Sequence, residues 1–280
     1  MRRLPVLLAT LGLLFVVAGP GLRAAEAGYH YEVDPWLDGT LTAGLFAFSL
    51  TARQTIADGA GPWCGAACDR GDLNWVDRSA LDWDSSAAET ASDYTAWAAV
   101  GLPLLVSGLD ALAPEGFQHQ QFWSESLLFA ETMSVALATT EVLKVAFDRP
   151  RPVAYKPDAP ASERSSAGAA RSFPSGHTAN AFAAATAGLV IFAGKHEGPE
   201  TWLVGGGLLG LASGTAVLRV AGGKHFWTDV AAGALVGAGA GYLVPRLHRH
   251  KGGKGEVRFN VLPLVFEGGE PGLMLVLAGW

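Results

Sequence analysis

The chain has 280 residues, half of them hydrophobic and only 16% charged, with a formal net charge of −6. That length suits one large domain or two small ones, and the negative balance excludes a nucleic-acid binder, which needs a basic face. The apolar share exceeds that of an ordinary soluble domain and calls for extensive burial or for lipid.

Residues 1–27 read as a targeting segment, either a cleaved signal peptide or an uncleaved N-terminal anchor. Arg2 and Arg3 form a positive start, Leu4 to Ala18 is apolar, and Ala25 to Ala27 offers small residues for cleavage. Both routes imply export. Residues 28–92 hold a polar lead, a first apolar helix over Thr40–Ala52 and a polar insert from Ala57 to Ser92. The insert carries Trp63, Trp75 and Trp83, which read as membrane-interface anchors or as ordinary packing of an irregular loop. Cys64 and Cys68 are the only cysteines. In an exported chain they read as a local disulfide or as two free thiols.

Residues 93–250 read as a catalytic helical bundle. Its first helix is Tyr94–Leu109, with a kink or break at Pro103. A long amphipathic helix follows over Gln121–Phe147; its Glu125, Glu131, Glu141 and Lys144 place it inside a bundle. Residues 153–172 form a Pro-, Ala- and Ser-rich loop, expected to be flexible and close to any site. Three uncharged runs come next, Gly176–Gly194, Thr201–Leu218 and Val230–Pro245. Their Ala and Gly content lets helices approach closely, and each is at or just under a membrane-crossing length. Leu247 to Lys254 is basic. Residues 251–280 form a tail with two strands, Glu256–Phe266 and Leu273–Trp280, expected to pair as a hairpin. The predicted fold is therefore all-α, a bundle of about six helices with a short C-terminal β-hairpin.

Three polar clusters flank these helices: Lys144 to Pro152, Pro174 to His177, and Arg219 to Asp229. The first ends a helix, the second starts the next, and the third lies between the two after that. In an up-and-down bundle all three fall at one end, which is where the active site is expected. The chemistry fits a phosphate. Lys144, Arg151 and Arg219 supply cationic donors, while Ser175 and the N–H of Gly176 add neutral donors at a helix start. His225 and Asp229 share a face if their segment is helical. Asp229 would then hold one ring nitrogen and aim the other at phosphorus as the nucleophile. His177 would protonate the leaving oxygen. No metal and no cofactor are called for, because the cations already neutralise the phosphoryl oxygens.

The three clusters together resemble the signature of the type 2 phosphatidic acid phosphatase superfamily, which also holds bacterial acid phosphatases and vanadium haloperoxidases. Its pattern is Lys, six residues, Arg-Pro; then Pro-Ser-Gly-His; then Ser-Arg, five residues, His, three residues, Asp. The spacing assigns the family role to Arg151 rather than Arg149. Leu218 stands where the family has Ser. The resemblance covers Lys144 to Asp229 and implies an all-α bundle that hydrolyses a phosphomonoester or diphosphate through a phosphohistidine at His225. A lipid-linked substrate, and a cell-membrane location with the site on the periplasmic side, are the expectation. The alternatives are a soluble periplasmic acid phosphatase and a vanadate-dependent haloperoxidase.

Overall fold

Eight α-helices run through the described residues of this computed structural model, which are 30–57, 61–65, 68–113, 116–250, 258–265 and 271–278. Six are long: α1 (Leu37–Ala57), α3 (Ser86–Asp110), α4 (His119–Phe147), α6 (Gly176–Ala193), α7 (Pro199–Ala221) and α8 (Trp227–Leu247). Two are single turns, α2 (Trp75–Arg78) and α5 (Ala161–Arg164). The chain divides into two units, residues 25–249 and a second made of 1–24 with 250–280. In the second, strands Arg258–Val265 and Pro271–Ala278 pair antiparallel, Arg258 opposite Ala278. The expected turn between them, Lys251 and Lys254 of the basic cluster and the targeting segment all lie outside the described residues.

Most predicted helices appear with longer ends, and local chemistry explains the difference. α1 starts at Leu37 because the Asp34 carboxylate accepts the Trp36 and Leu37 N–H groups at 2.9 and 3.1 Å, satisfying donors that a helix start leaves open. α3 begins inside the expected insert. Ser85 caps it through Ala88 N–H at 3.2 Å, and the Ala-rich turn that follows favours helix. The same helix runs on through Pro103, so of the expected kink or break the break does not occur. The Pro103 ring is buried against the backbone of Gly188, where a Cβ would stand 2.7 Å away.

α6 is the central helix, packed by α3, α4, α7 and α8. Its Ala179, Ala181, Ala183, Ala184, Ala185 and Ala187 are fully buried. Small residues are needed there because α8 lies against it nearly backbone to backbone. Gly233, Gly237 and Gly241 form one stripe on α8, and a Cβ on Gly233 would stand 2.6 Å from the Ser175 carbonyl oxygen. This close approach brings the first turns of α6 and α8 side by side. The Ser175 N–H donates to the Asp229 carbonyl at 3.0 Å.

The segment 153–172, expected to be a flexible loop, is instead packed. Tyr155, Ala154 and Ala169 are buried in a cluster with Leu73, Leu81, Val220 and Phe226. Cys64 and Cys68 are joined in a disulfide. Trp63 and Trp75 are largely exposed, whereas Trp83 meets Trp227 edge to face at 6.2 Å.

Four helical stretches, His119–Tyr155, Gly176–Ala193, Pro199–Ala221 and Trp227–Leu247, are long and apolar enough to cross a membrane. Large apolar side chains such as Trp202, Leu203 and Leu235 stand exposed on them. A water-facing surface would disfavour such a patch. The chain reads as a membrane protein.

Candidate active site

A cavity of about 360 Å³ opens at the end of the bundle where α4 finishes and α6 and α8 begin. Lys144, Arg151, Gly176, His177, Arg219 and His225 line it together. The structure thus brings six of the eight predicted site residues to one wall. Ser175 and Asp229 stand behind them, fully buried.

Each residue is held by a different device. Lys144 sits in the last turn of α4 and donates to Glu141 at 2.8 Å. Arg151 follows the left-handed turn at Asp148; its backbone N–H donates to the Ala169 carbonyl at 2.8 Å. The Arg151 side chain is mostly buried and has no carboxylate partner among the described residues. Arg219, in the last turn of α7, donates to Ser92 Oγ at 3.1 Å and Asp93 Oδ1 at 3.0 Å, while its buried Nε makes no hydrogen bond. His177, on the first turn of α6, has Nε2 3.2 Å from Asp93 Oδ1 and is partly open to the cavity.

Two expectations change. Ser175 is the N-cap of α6, and its Oγ accepts from Thr178 Oγ1 at 3.0 Å. Its hydroxyl therefore serves the helix start and stands outside the cavity wall. His225 is not helical. It precedes α8, whose first residue is Trp227, so the shared helix face does not exist. Asp229 instead turns back from the first turn of α8 and accepts the Phe226 N–H at 2.8 Å. This brings its Oδ2 within 3.5 Å of His225 Nδ1, and that nitrogen makes no hydrogen bond. Burial, reinforced by the charges of Arg151 and Arg219 against the pull of Asp229, lowers the His225 pKa to about 3. That shift favours the neutral ring.

The sequence reading missed what holds Asp229. Its Oδ1 accepts from Arg149 at 2.8 Å, and its Oδ2 also accepts from Ser172 Oγ. Arg149 reaches on to Asp77 at 2.9 Å and stacks over the Phe226 ring at 4.3 Å. Asp77 takes the Thr228 N–H at 3.0 Å and the Thr228 hydroxyl at 2.7 Å. Burial works to raise the Asp77 pKa, but these donors from Thr228, Arg149 and Asn74 win and hold it below its ordinary value. The polar insert thus clamps the start of α8. Asn74 capping α2 is a local signal for a short helix there; nothing in the sequence ties that helix to Asp229. Arg53 on α1 and Arg171 also line the cavity, with Glu141 the one carboxylate on its wall.

A cavity walled by five cations, one carboxylate and two histidines accepts a compact, highly charged anion. Residues 125–252 match the family model described as the PAP2 superfamily. This stretch resembles the PAP2 superfamily. It contains all eight predicted site residues. Two solved structures are similar to the chain. One is LpxE of Aquifex aeolicus, 22% identical, covering 64% of this chain and 99% of that one at a TM-score of 0.44. The other is a transmembrane PAP2-type phosphatidylglycerolphosphate phosphatase of Bacillus subtilis, 21% identical, covering 72% of this chain and 93% of that one at a TM-score of 0.44. No curated protein matches the chain.

Proposed function

We propose that this chain, a phosphoric ester hydrolase of the PAP2 type, removes phosphate from a phosphorylated lipid through a phosphohistidine on His225, without a metal at the phosphate. The supporting observation is Arg151, which is mostly buried on the cavity wall beside Lys144 and Arg219, makes no direct ion pair among the described residues and only donates its Nε–H to the Ala170 carbonyl at 3.4 Å. A buried cation without a direct counter-ion is costly, and an anionic substrate supplies one. Membrane-length helices around the site favour a lipid over a soluble ester.

The arrangement of these residues supports a two-step path. Lys144, Arg151 and Arg219 bind the phosphoryl oxygens and offset their growing charge. His225 is neutral, and Asp229 lies beside its Nδ1. The ring's other nitrogen bonds to phosphorus as the P–O ester bond breaks. His177 gives its proton to the departing alkoxide. Water then attacks phosphorus, His177 takes a proton from it, and the P–N bond breaks to release inorganic phosphate. The site faces away from the cytoplasm: Arg246 and Arg249 at the far end of α8 suit the cytoplasmic side.

Rapid quenching with a ³²P-labelled lipid phosphate tests this. Wild-type protein is expected to trap acid-labile, base-stable label, and His225→Ala none. Label on a serine or aspartate would overturn the mechanism. Turnover is also expected to survive EDTA at a temperature where the protein stays folded.

A further inference from the structure

Away from the cavity, Asp38 in the first turn of α1, Glu131 in the middle of α4 and His248 at the C-cap of α8 converge. Thirteen residues of α4 separate Glu131 from Lys144, roughly 20 Å along the helix. We propose that these three side chains bind a structural transition-metal ion, zinc being the best fit, that pins α1 to α4 and α8. This is independent of the phosphatase reading, because no group of the cavity takes part.

Four observations carry it. Glu131 is 5% exposed, and its Oε2 makes no hydrogen bond. A bare buried carboxylate oxygen is costly and calls for a cation. The spacing suits a shared ion: His248 Nε2 is 3.3 Å from Glu131 Oε2 and 3.5 Å from Asp38 Oδ2. Ligands held ~2.0–2.2 Å from a tetrahedral zinc stand roughly 3.3–3.6 Å apart. His248 Nδ1 donates to the Val244 carbonyl at 3.0 Å, which leaves Nε2 for a metal and is the usual way a ligating histidine is oriented. Asp38 Oδ2 is likewise braced, accepting the Asp34 N–H at 2.7 Å. The carbonyl end of α8 adds negative potential. One imidazole with two carboxylates favours zinc or a similar ion over calcium or magnesium, which prefer all-oxygen shells. The fourth position is left to water.

The alternative occupant is a proton, with His248 charged and paired to both carboxylates. Untagged full-length protein in detergent separates the two. It is stripped with a strong chelator and then titrated with Zn²⁺ alone, by calorimetry and by elemental analysis after gel filtration. About one zinc per chain is expected. Glu131→Gln and Asp38→Asn, which preserve shape, are expected to weaken binding by more than the ~10–100-fold typical of losing an outer partner. Stripping should lower the wild-type Tm, restored by zinc, and leave the Tm of Glu131→Gln unmoved by chelator or zinc. Co²⁺ in place of zinc should give tetrahedral d–d bands in the wild type only. No stoichiometric binding, or equal binding by Glu131→Gln, overturns the proposal and leaves the protonated ion triad. The kcat of stripped protein below its Tm is expected to stay at the wild-type value, so loss of turnover on chelation would count against the metal-free phosphoryl transfer and not against this site.

Discussion

The two cavity histidines differ in surroundings, and their proposed roles differ with them. His225 is fully enclosed beside Asp229, whereas His177 is partly open and touches Asp93. An acid matters most when the leaving alkoxide is poor. His177→Ala is therefore expected to lose on the order of 10²–10⁴-fold in kcat/KM on an alkyl phosphate, and much less on p-nitrophenyl phosphate. His225→Ala should lose both alike. Equal losses for His177→Ala on the two substrates would remove its role as the acid. His225 also makes stability depend on pH. Its folded pKa of about 3 lies below the ordinary value of 6.5, so the native state binds fewer protons than the unfolded chain in between. That contribution is complete above the unfolded value and is lost as pH falls toward the folded one. Asp77, also held below its ordinary value, acts in the same direction at lower pH. Acidification from pH 7 to 5 is expected to lower the wild-type Tm more than that of His225→Asn. Parallel melting curves would show that burial does not hold the ring neutral.

At the scale of elements, the contact of α6 with α8 sets the site. The first turns of both helices carry His177 and Asp229, and the glycine stripe on α8 fixes how closely those turns meet. A Cβ at position 237 would collide with the Ala179 backbone, and backbone has little room to yield. Gly237→Val is expected to destabilise by about 1–3 kcal/mol or more, as overpacking does, and to depress turnover because the two starts separate. Gly239→Ala on the same helix is the control, since nothing lies within 4 Å of its added Cβ. Denaturant melts and kcat for the pair check this; equal effects would mean that the stripe is not the determinant.

For the whole molecule, four apolar helices with exposed aromatic and aliphatic side chains belong in a bilayer. The protein is expected to remain in the membrane pellet through alkaline carbonate and to leave it only in detergent. Release by carbonate would make the exposed patch a peripheral or protein-binding surface.

The sequence alone determined the helical content, because long apolar runs bounded by capping residues and Pro or Gly leave few alternatives. It also determined the candidate site. Lys144, Arg151, His177, Arg219 and His225 were legible because their chemistry repeats at the ends of successive helices, and an up-and-down chain brings those ends together. What it could not contain were contacts between residues far apart in sequence. Arg149 bridging Asp77 and Asp229, Arg53 entering the cavity from α1, and Asp38 meeting Glu131 and His248 depend on which helix faces pack. Local signals also misread two segments. The helical spacing of His225 and Asp229 was an accident of a loop feeding a helix start, and the polar segment 153–172 is held by the burial of Tyr155 and Ala169 against Phe226. Periodicity and capping are properties of a few neighbouring residues, whereas the partner of a buried charge is chosen only when helices pack and water is excluded.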